Sequence, residues 1–148
     1  MKILHLDRNH PLLIKGLDEA GHINTESYNS TKLEVLNMVH KYEGIIIRSR
    51  FKLNSEILLK AENLKFIARV GAGTENINID FTKEKNIKVI TAPEGNRSAV
   101  AEHSIGMLLS LMNKLIYSHQ KIKNGIWNRK LSRGIEIKGK TVGIIGYG

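Results

Sequence analysis

Two arginines and a glycine-rich stretch are the residues of this chain best suited to chemistry. Arg48 directly follows the apolar run 45–47, and Arg69 follows the run 66–68. If both runs are parallel strands, both guanidiniums stand at strand carboxyl ends, where open α/β sheets place ligands. Two planar forks on one rim suit a phosphate better than a lone carboxylate does. The plainer alternative is one surface arginine and one salt bridge. Val70-Gly71-Ala72-Gly73 can point consecutive backbone N–H groups at an anion; a tight turn after a strand is the other reading of its glycines. Asn96 precedes a long helical segment and can cap it. Near residue 148, the strand-like run 141–145 enters Gly146-Tyr147-Gly148, the opening of a G-x-G-x-x-G dinucleotide fingerprint. There the first glycine permits the turn and the second lets backbone approach a pyrophosphate. The third glycine, the phosphate-binding helix and the ribose-binding acid are not among the 148 residues.

Other polar residues carry less. Glu102 and His103 are adjacent on a helix and project about 100° apart, so they do not form an acid–base pair. His5, His10, His22, His40 and His119 share no metal-ligand spacing. The absence of cysteine excludes disulfides, thiolate metal sites and cysteine nucleophiles. No metal ligand is expected within the chain.

The elements that must position these groups alternate between strand and helix. The runs 2–6, 22–25, 44–47, 66–70, 88–90 and 141–145 read as strands. Between them lie helical segments with recognisable ends: Pro11 at a first turn with Gly21 as a stop, Thr31-x-x-Glu34 as a capping box, Asn54 as a cap, and Asn86 as a left-handed exit. Near-continuous apolar strands are buried on both faces, so the sheet is parallel and covered by helices. Residues 97–123 read as one helix of about 40 Å. Its middle is apolar nearly all round, which calls for cover on more than one side. A dimer, a partner domain or a central position in one domain would each provide it.

The chain has 148 residues, a formal net charge of +9, 41% apolar and 25% charged residues. That composition is globular. No transmembrane run of about 18 apolar residues exists, and the first residues lack a signal-peptide pattern, so a soluble cytoplasmic chain is expected. Much of the charge lies at 121–140, but with only Trp127 and Tyr117 nearby and no nucleic-acid motif this reads as a solvated linker. Neither nucleic acid nor membrane is expected as a partner.

Four segments make the pattern specific: Ile45-Ile46-Ile47-Arg48-Ser49, Arg69-Val70-Gly71-Ala72-Gly73-Thr74-Glu75-Asn76-Ile77, Asn96-Arg97-Ser98-Ala99-Val100-Ala101-Glu102-His103, and Thr141-Val142-Gly143-Ile144-Ile145-Gly146-Tyr147-Gly148. Together they resemble the N-terminal part of the D-isomer-specific 2-hydroxyacid dehydrogenases, most of all the branch acting on 3-phosphoglycerate. The resemblance implies a flavodoxin-like substrate domain over 1–95, a crossover and dimerisation helix over 96–125, and a linker with the start of an NAD-binding Rossmann domain over 126–148. It implies a small anionic 2-hydroxy or 2-oxo acid held by Arg48, Ser49, Arg69, Val70, Gly71, Ala72, Gly73 and Asn96. The stretch after Asn96 is one residue longer than the commonest family spacing, so Gly95 or Arg97 could align there instead. NAD would be bound in part by Gly146 and Gly148, and the family's catalytic arginine, glutamate and histidine lie beyond this sequence. The chain therefore looks truncated, inactive alone and homodimeric. The competing reading is a stand-alone anion-binding or dimerisation module. A receiver-like phosphoacceptor is disfavoured because Asp7 has no acidic neighbours.

Overall fold

The computed structural model describes residues 1–146. Two compact units divide the chain, Met1–Asn96 and Arg97–Gly148. The first contains β1 (Lys2–His5), α1 (Pro11–Glu19), β2 (Ile23–Glu26), α2 (Lys32–Met38), β3 (Gly44–Ile47), α3 (Ser55–Lys60), β4 (Phe66–Arg69), α4 (Ile79–Glu84) and β5 (Lys88–Thr91). Its five strands form one parallel sheet in the order β2-β1-β3-β4-β5. This is the flavodoxin-like order expected of a doubly wound sheet.

Burial follows the sequence pattern. β3 lies near the centre and is buried at every position, whereas the edge strands β2 and β5 keep partly or fully exposed residues. Side chains alternate across a strand. Leu4, Ile45, Ile47 and Ile67 therefore share one face, where they meet Val35, Val39, Ile57 and Leu58. Ile3, His5 and Ile46 are buried on the other. Local ends match their residues. Thr31 and Glu34 make a reciprocal capping box, Asn54 accepts from Ile57 N–H, and Asn78 accepts from Phe81 N–H. Asn86 takes the left-handed exit with φ 56°. His10 caps α1 through its ring Nδ1, with Pro11 following.

The second unit departs from expectation twice. Residues 97–123 form two helices, α5 (Arg97–Met112) and α6 (Leu115–Lys123), instead of one. Lys114 breaks the run with a left-handed φ of 51°. The Met112 carbonyl accepts from Ile135 N–H at 2.8 Å instead of continuing the helical ladder. Gly134 permits that approach, since a Cβ there would lie 2.8 Å from Asn113 Cα. The break thus arises from a distant segment and leaves no mark on helical periodicity. Residues 141–145 were expected as a strand, yet no ladder forms over the described residues, and Ile145 is fully exposed at 104%. A strand with no paired neighbour leaves its backbone groups to water and has nothing to hold it flat. Gly146 has a φ of 86°, and Gly148 lies outside the described residues.

Candidate functional site

The carboxyl ends of β1, β3 and β4 bring three loops side by side, and most of the polar groups singled out in the sequence lie on them. The loop after β3 is tied down through its backbone. One Asp7 carboxylate oxygen accepts from Arg48 N–H at 2.6 Å and Arg50 N–H at 3.4 Å. Asn76 Nδ2 donates to the carbonyls of Arg48 and Phe51, both at 3.2 Å. The Arg50 guanidinium donates to Leu6 O at 3.1 Å, to Ser27 O at 2.9 Å and to Ser30 O, and lies over the Phe51 ring. With the chain so held, the Arg48 side chain stands exposed and makes no ion pair among the described residues. It lines a cleft of about 480 Å³ with Ser49, Asp7, Arg8, Tyr28 and Asn29. Burial of Tyr28, together with its hydrogen bond to Glu26, pushes its hydroxyl up to about 12.

Arg69 is arranged the other way. Its side chain is largely covered at 15% exposure, with Nε donating to Arg48 O at 3.3 Å and Nη2 paired with Glu75 Oε1 at 2.8 Å. The two sequence-identified arginines therefore reach the same edge, one with a free guanidinium and one with an internal carboxylate on it.

The glycine-rich turn is shaped by these side chains. Neither Gly71 nor Gly73 has a positive φ. A Cβ on Gly71 would lie 2.7 Å from the Arg69 guanidinium, and one on Gly73 only 2.0 Å from Glu75 Oε2. Val70 N–H is bonded to Ile47 O and Gly71 N–H to Arg69 O, both at 2.9 Å. The amides of Ala72 and Gly73 bond no group of the chain among the described residues. Two amides, not four consecutive ones, can thus meet an anion. Asn96 ends the Pro93–Gly95 turn with φ −131° and is exposed.

Sequence reasoning missed the supports. Asp7 and Asn76 are short polar residues beside strand ends, which is the signal that could have found them; Arg50 carries no such local signal. His5 is fully buried. Its Nε2 bonds Asn24 Oδ1 at 2.8 Å and its Nδ1 bonds Asn9 Nδ2 at 3.1 Å, so the ring serves as a core strut. His103 is exposed on α5. Among the described residues no cluster of metal-binding side chains occurs, and no helix is long and apolar enough to cross a membrane.

Comparison with known proteins bears on what such a sheet edge does. A D-3-phosphoglycerate dehydrogenase of Archaeoglobus fulgidus is 42% identical over 115 residues, covering 78% of this chain and 22% of that protein. The Methanocaldococcus jannaschii enzyme of the same name is 36% identical over 148 residues, covering 100% of this chain and 28% of that protein. The chain thus spans about a quarter of the length of these curated relatives. In the solved structures, the NAD+-bound 3-phosphoglycerate dehydrogenase of Entamoeba histolytica aligns with a TM-score of 0.63 at 34% identity, covering 77% of this chain and 40% of that one. The family model for the D-isomer specific 2-hydroxyacid dehydrogenase catalytic domain matches residues 3–139. Its members are NAD-dependent oxidoreductases. Because that match takes in the whole sheet together with the loops that carry Arg48 and Arg69, the chain belongs to the D-isomer-specific 2-hydroxyacid dehydrogenase family.

Proposed function

We propose that this chain is the substrate-binding part of an NAD-dependent oxidoreductase acting on the CH–OH group of a phosphorylated D-2-hydroxy acid, of the 3-phosphoglycerate type. One observation carries the reading: a free guanidinium, that of Arg48, on a backbone fixed by Asp7 and Asn76 at a strand carboxyl end. Arg48 and Ser49 take the phosphate. The Ala72 and Gly73 amides take the carboxylate, and Asn96 lies one strand further along. Arg69 reaches the same anion by exchanging its Glu75 partner. The names of the two archaeal relatives support the choice of acid.

NAD supplies the hydride acceptor in this family when bound. The described residues do not complete a site for it: of the two fingerprint glycines only Gly146 is among them, with a φ of 86°, and 141–145 pair with no strand. Hydride and proton transfer are therefore assigned to no residue of this chain, which we expect to show no turnover alone. The alternative, a stand-alone anion-binding or dimerisation module, draws on that same unpaired segment. Exposed apolar residues on α5 and α6, among them Ile105, Met107, Leu111 and Ile116, support self-association as a homodimer. Calorimetric titration with 3-phosphoglycerate and D-glycerate tests the substrate reading. Arg48→Ala should weaken the phosphorylated acid by about tenfold or more and leave D-glycerate nearly unchanged. Equal losses for both would end the reading. NADH oxidation above background by the 148-residue chain would refute its inactivity.

A further inference from the structure

We propose that Arg8 is a second phosphate ligand, which joins Arg48 in the cleft between the ends of β1 and β3 and sets the preference for a phosphomonoester. This deepens the substrate reading above and rests on it. In the sequence Arg8 simply follows an aspartate in an ordinary loop. The fold brings it to Arg48 through that aspartate. Asp7 holds the Arg48 N–H at 2.6 Å, so the residue after Asp7 and the residue at the end of β3 leave the sheet edge side by side. Both arginines line the same cleft of about 480 Å³.

Charge in the cleft favours an anion. Arg8 and Arg48 are exposed, and neither makes an ion pair among the described residues. Asp7 is the one acid in the lining, and its Oδ2 is occupied by two backbone N–H groups. Glu26 lies nearby and accepts from the Tyr28 hydroxyl. Arg69 carries Glu75, whereas Arg8 pairs with no carboxylate among the described residues, although it also lines a neighbouring cleft with Asp18, Glu19 and Glu26.

Geometry is also favourable. The Arg8 guanidinium lies 6.0 Å from the Tyr28 ring centroid, an arrangement that holds a planar cation against an aromatic face with its edge donors free. Asn29 and Ser49 add neutral donors to the lining. A phosphate dianion can use two guanidiniums and these donors together. A single carboxylate is satisfied by one.

The test is calorimetric titration of the 148-residue chain and its variants with 3-phosphoglycerate, D-glycerate and inorganic phosphate. Circular dichroism checks that each variant is folded. Arg8→Gln should weaken 3-phosphoglycerate and inorganic phosphate by about tenfold and change D-glycerate by less than about twofold. Arg8→Lys keeps the charge without the fork and should fall between. Unchanged phosphate affinity in Arg8→Gln, with a loss in Arg48→Gln, would overturn the role of Arg8 and leave the substrate reading standing. A wild-type chain that binds D-glycerate as tightly as 3-phosphoglycerate would overturn both. If Arg8→Gln is misfolded, a folded Arg8→Lys with wild-type affinity for inorganic phosphate overturns the role of the fork.

Discussion

Replacing Arg50 with methionine should destabilise the first unit by about 2–4 kcal/mol. The guanidinium bonds three carbonyls in two loops: Leu6 beyond β1, and Ser27 and Ser30 in the loop between β2 and α2. A hydrogen bond from a charged donor contributes about 1.5–3 kcal/mol when well buried, and these are partly buried, so about 1 kcal/mol each is appropriate. Contact with the Phe51 ring, 4.8 Å from its centroid, adds to this; such contacts contribute about 0.5–1 kcal/mol. Methionine fills similar apolar volume, so the loss isolates the donors. Against a domain stability of about 5–15 kcal/mol, the change is large enough to read as a shifted urea midpoint at constant slope. Arg50→Lys should recover no more than about a third of the loss, because one ammonium group on a flexible stem does not reproduce a planar fork across three carbonyls. A methionine variant within about 0.5 kcal/mol of the parent chain would show that water replaces the fork without penalty, and would refute the strut.

Three further outcomes are expected. Glu75→Gln removes the internal carboxylate from Arg69 and should tighten 3-phosphoglycerate binding by about threefold in a calorimetric titration, whereas weaker binding would make Glu75 a positioning residue. Gly44→Ala places a Cβ 2.2 Å from Phe66 Cζ, its registered neighbour on β4; moving that ring should cost about 1–3 kcal/mol in urea unfolding. Hydrogen bonds from Thr31 to Glu34, from Lys65 to Glu43 and from Lys32 to Glu56 hold these three carboxyls below their ordinary 4.5. Folded values below unfolded ones stabilise the chain above pH 4.5, and this stabilisation is lost as pH falls through the folded values. Thermal melts from pH 6 downward should show that loss, and Glu34→Gln should remove the share due to Glu34, whose largest cause is the Thr31 backbone N–H.

What could be read from the chain was what is local. β3 coincides with its apolar run because Gly44–Ile47 is buried at every position, and the capping box of α2 lies wholly within four consecutive residues. Arg48 and Arg69 could be placed at strand ends by the same logic, since the position after an apolar run is a local property. Their electrostatic states could not. Arg69 differs from Arg48 because the turn at Gly71 and Gly73 folds Glu75 back onto it, and that close approach needs no unusual φ. The break at Lys114 depends on Ile135, and the fate of residues 141–145 depends on strand partners; both are non-local.

The loop after β3 shows why Arg48 and not Arg69 is the poised cation. Around Arg48 every constraint falls on the main chain: its N–H goes to Asp7, its carbonyl receives Asn76 and Arg69, and Arg50 pins the next turn to two neighbouring loops. A backbone held from both sides with an unbonded side chain meets an incoming anion with little left to order beyond the side chain itself. At Arg69 the constraint falls on the guanidinium, so an anion arriving there must displace Glu75 before it gains a hydrogen bond. Affinity at this edge should therefore follow the loop supports as closely as the charges, and the supports lie in Asp7, Asn76 and Arg50, none of which faces the ligand as a free cation.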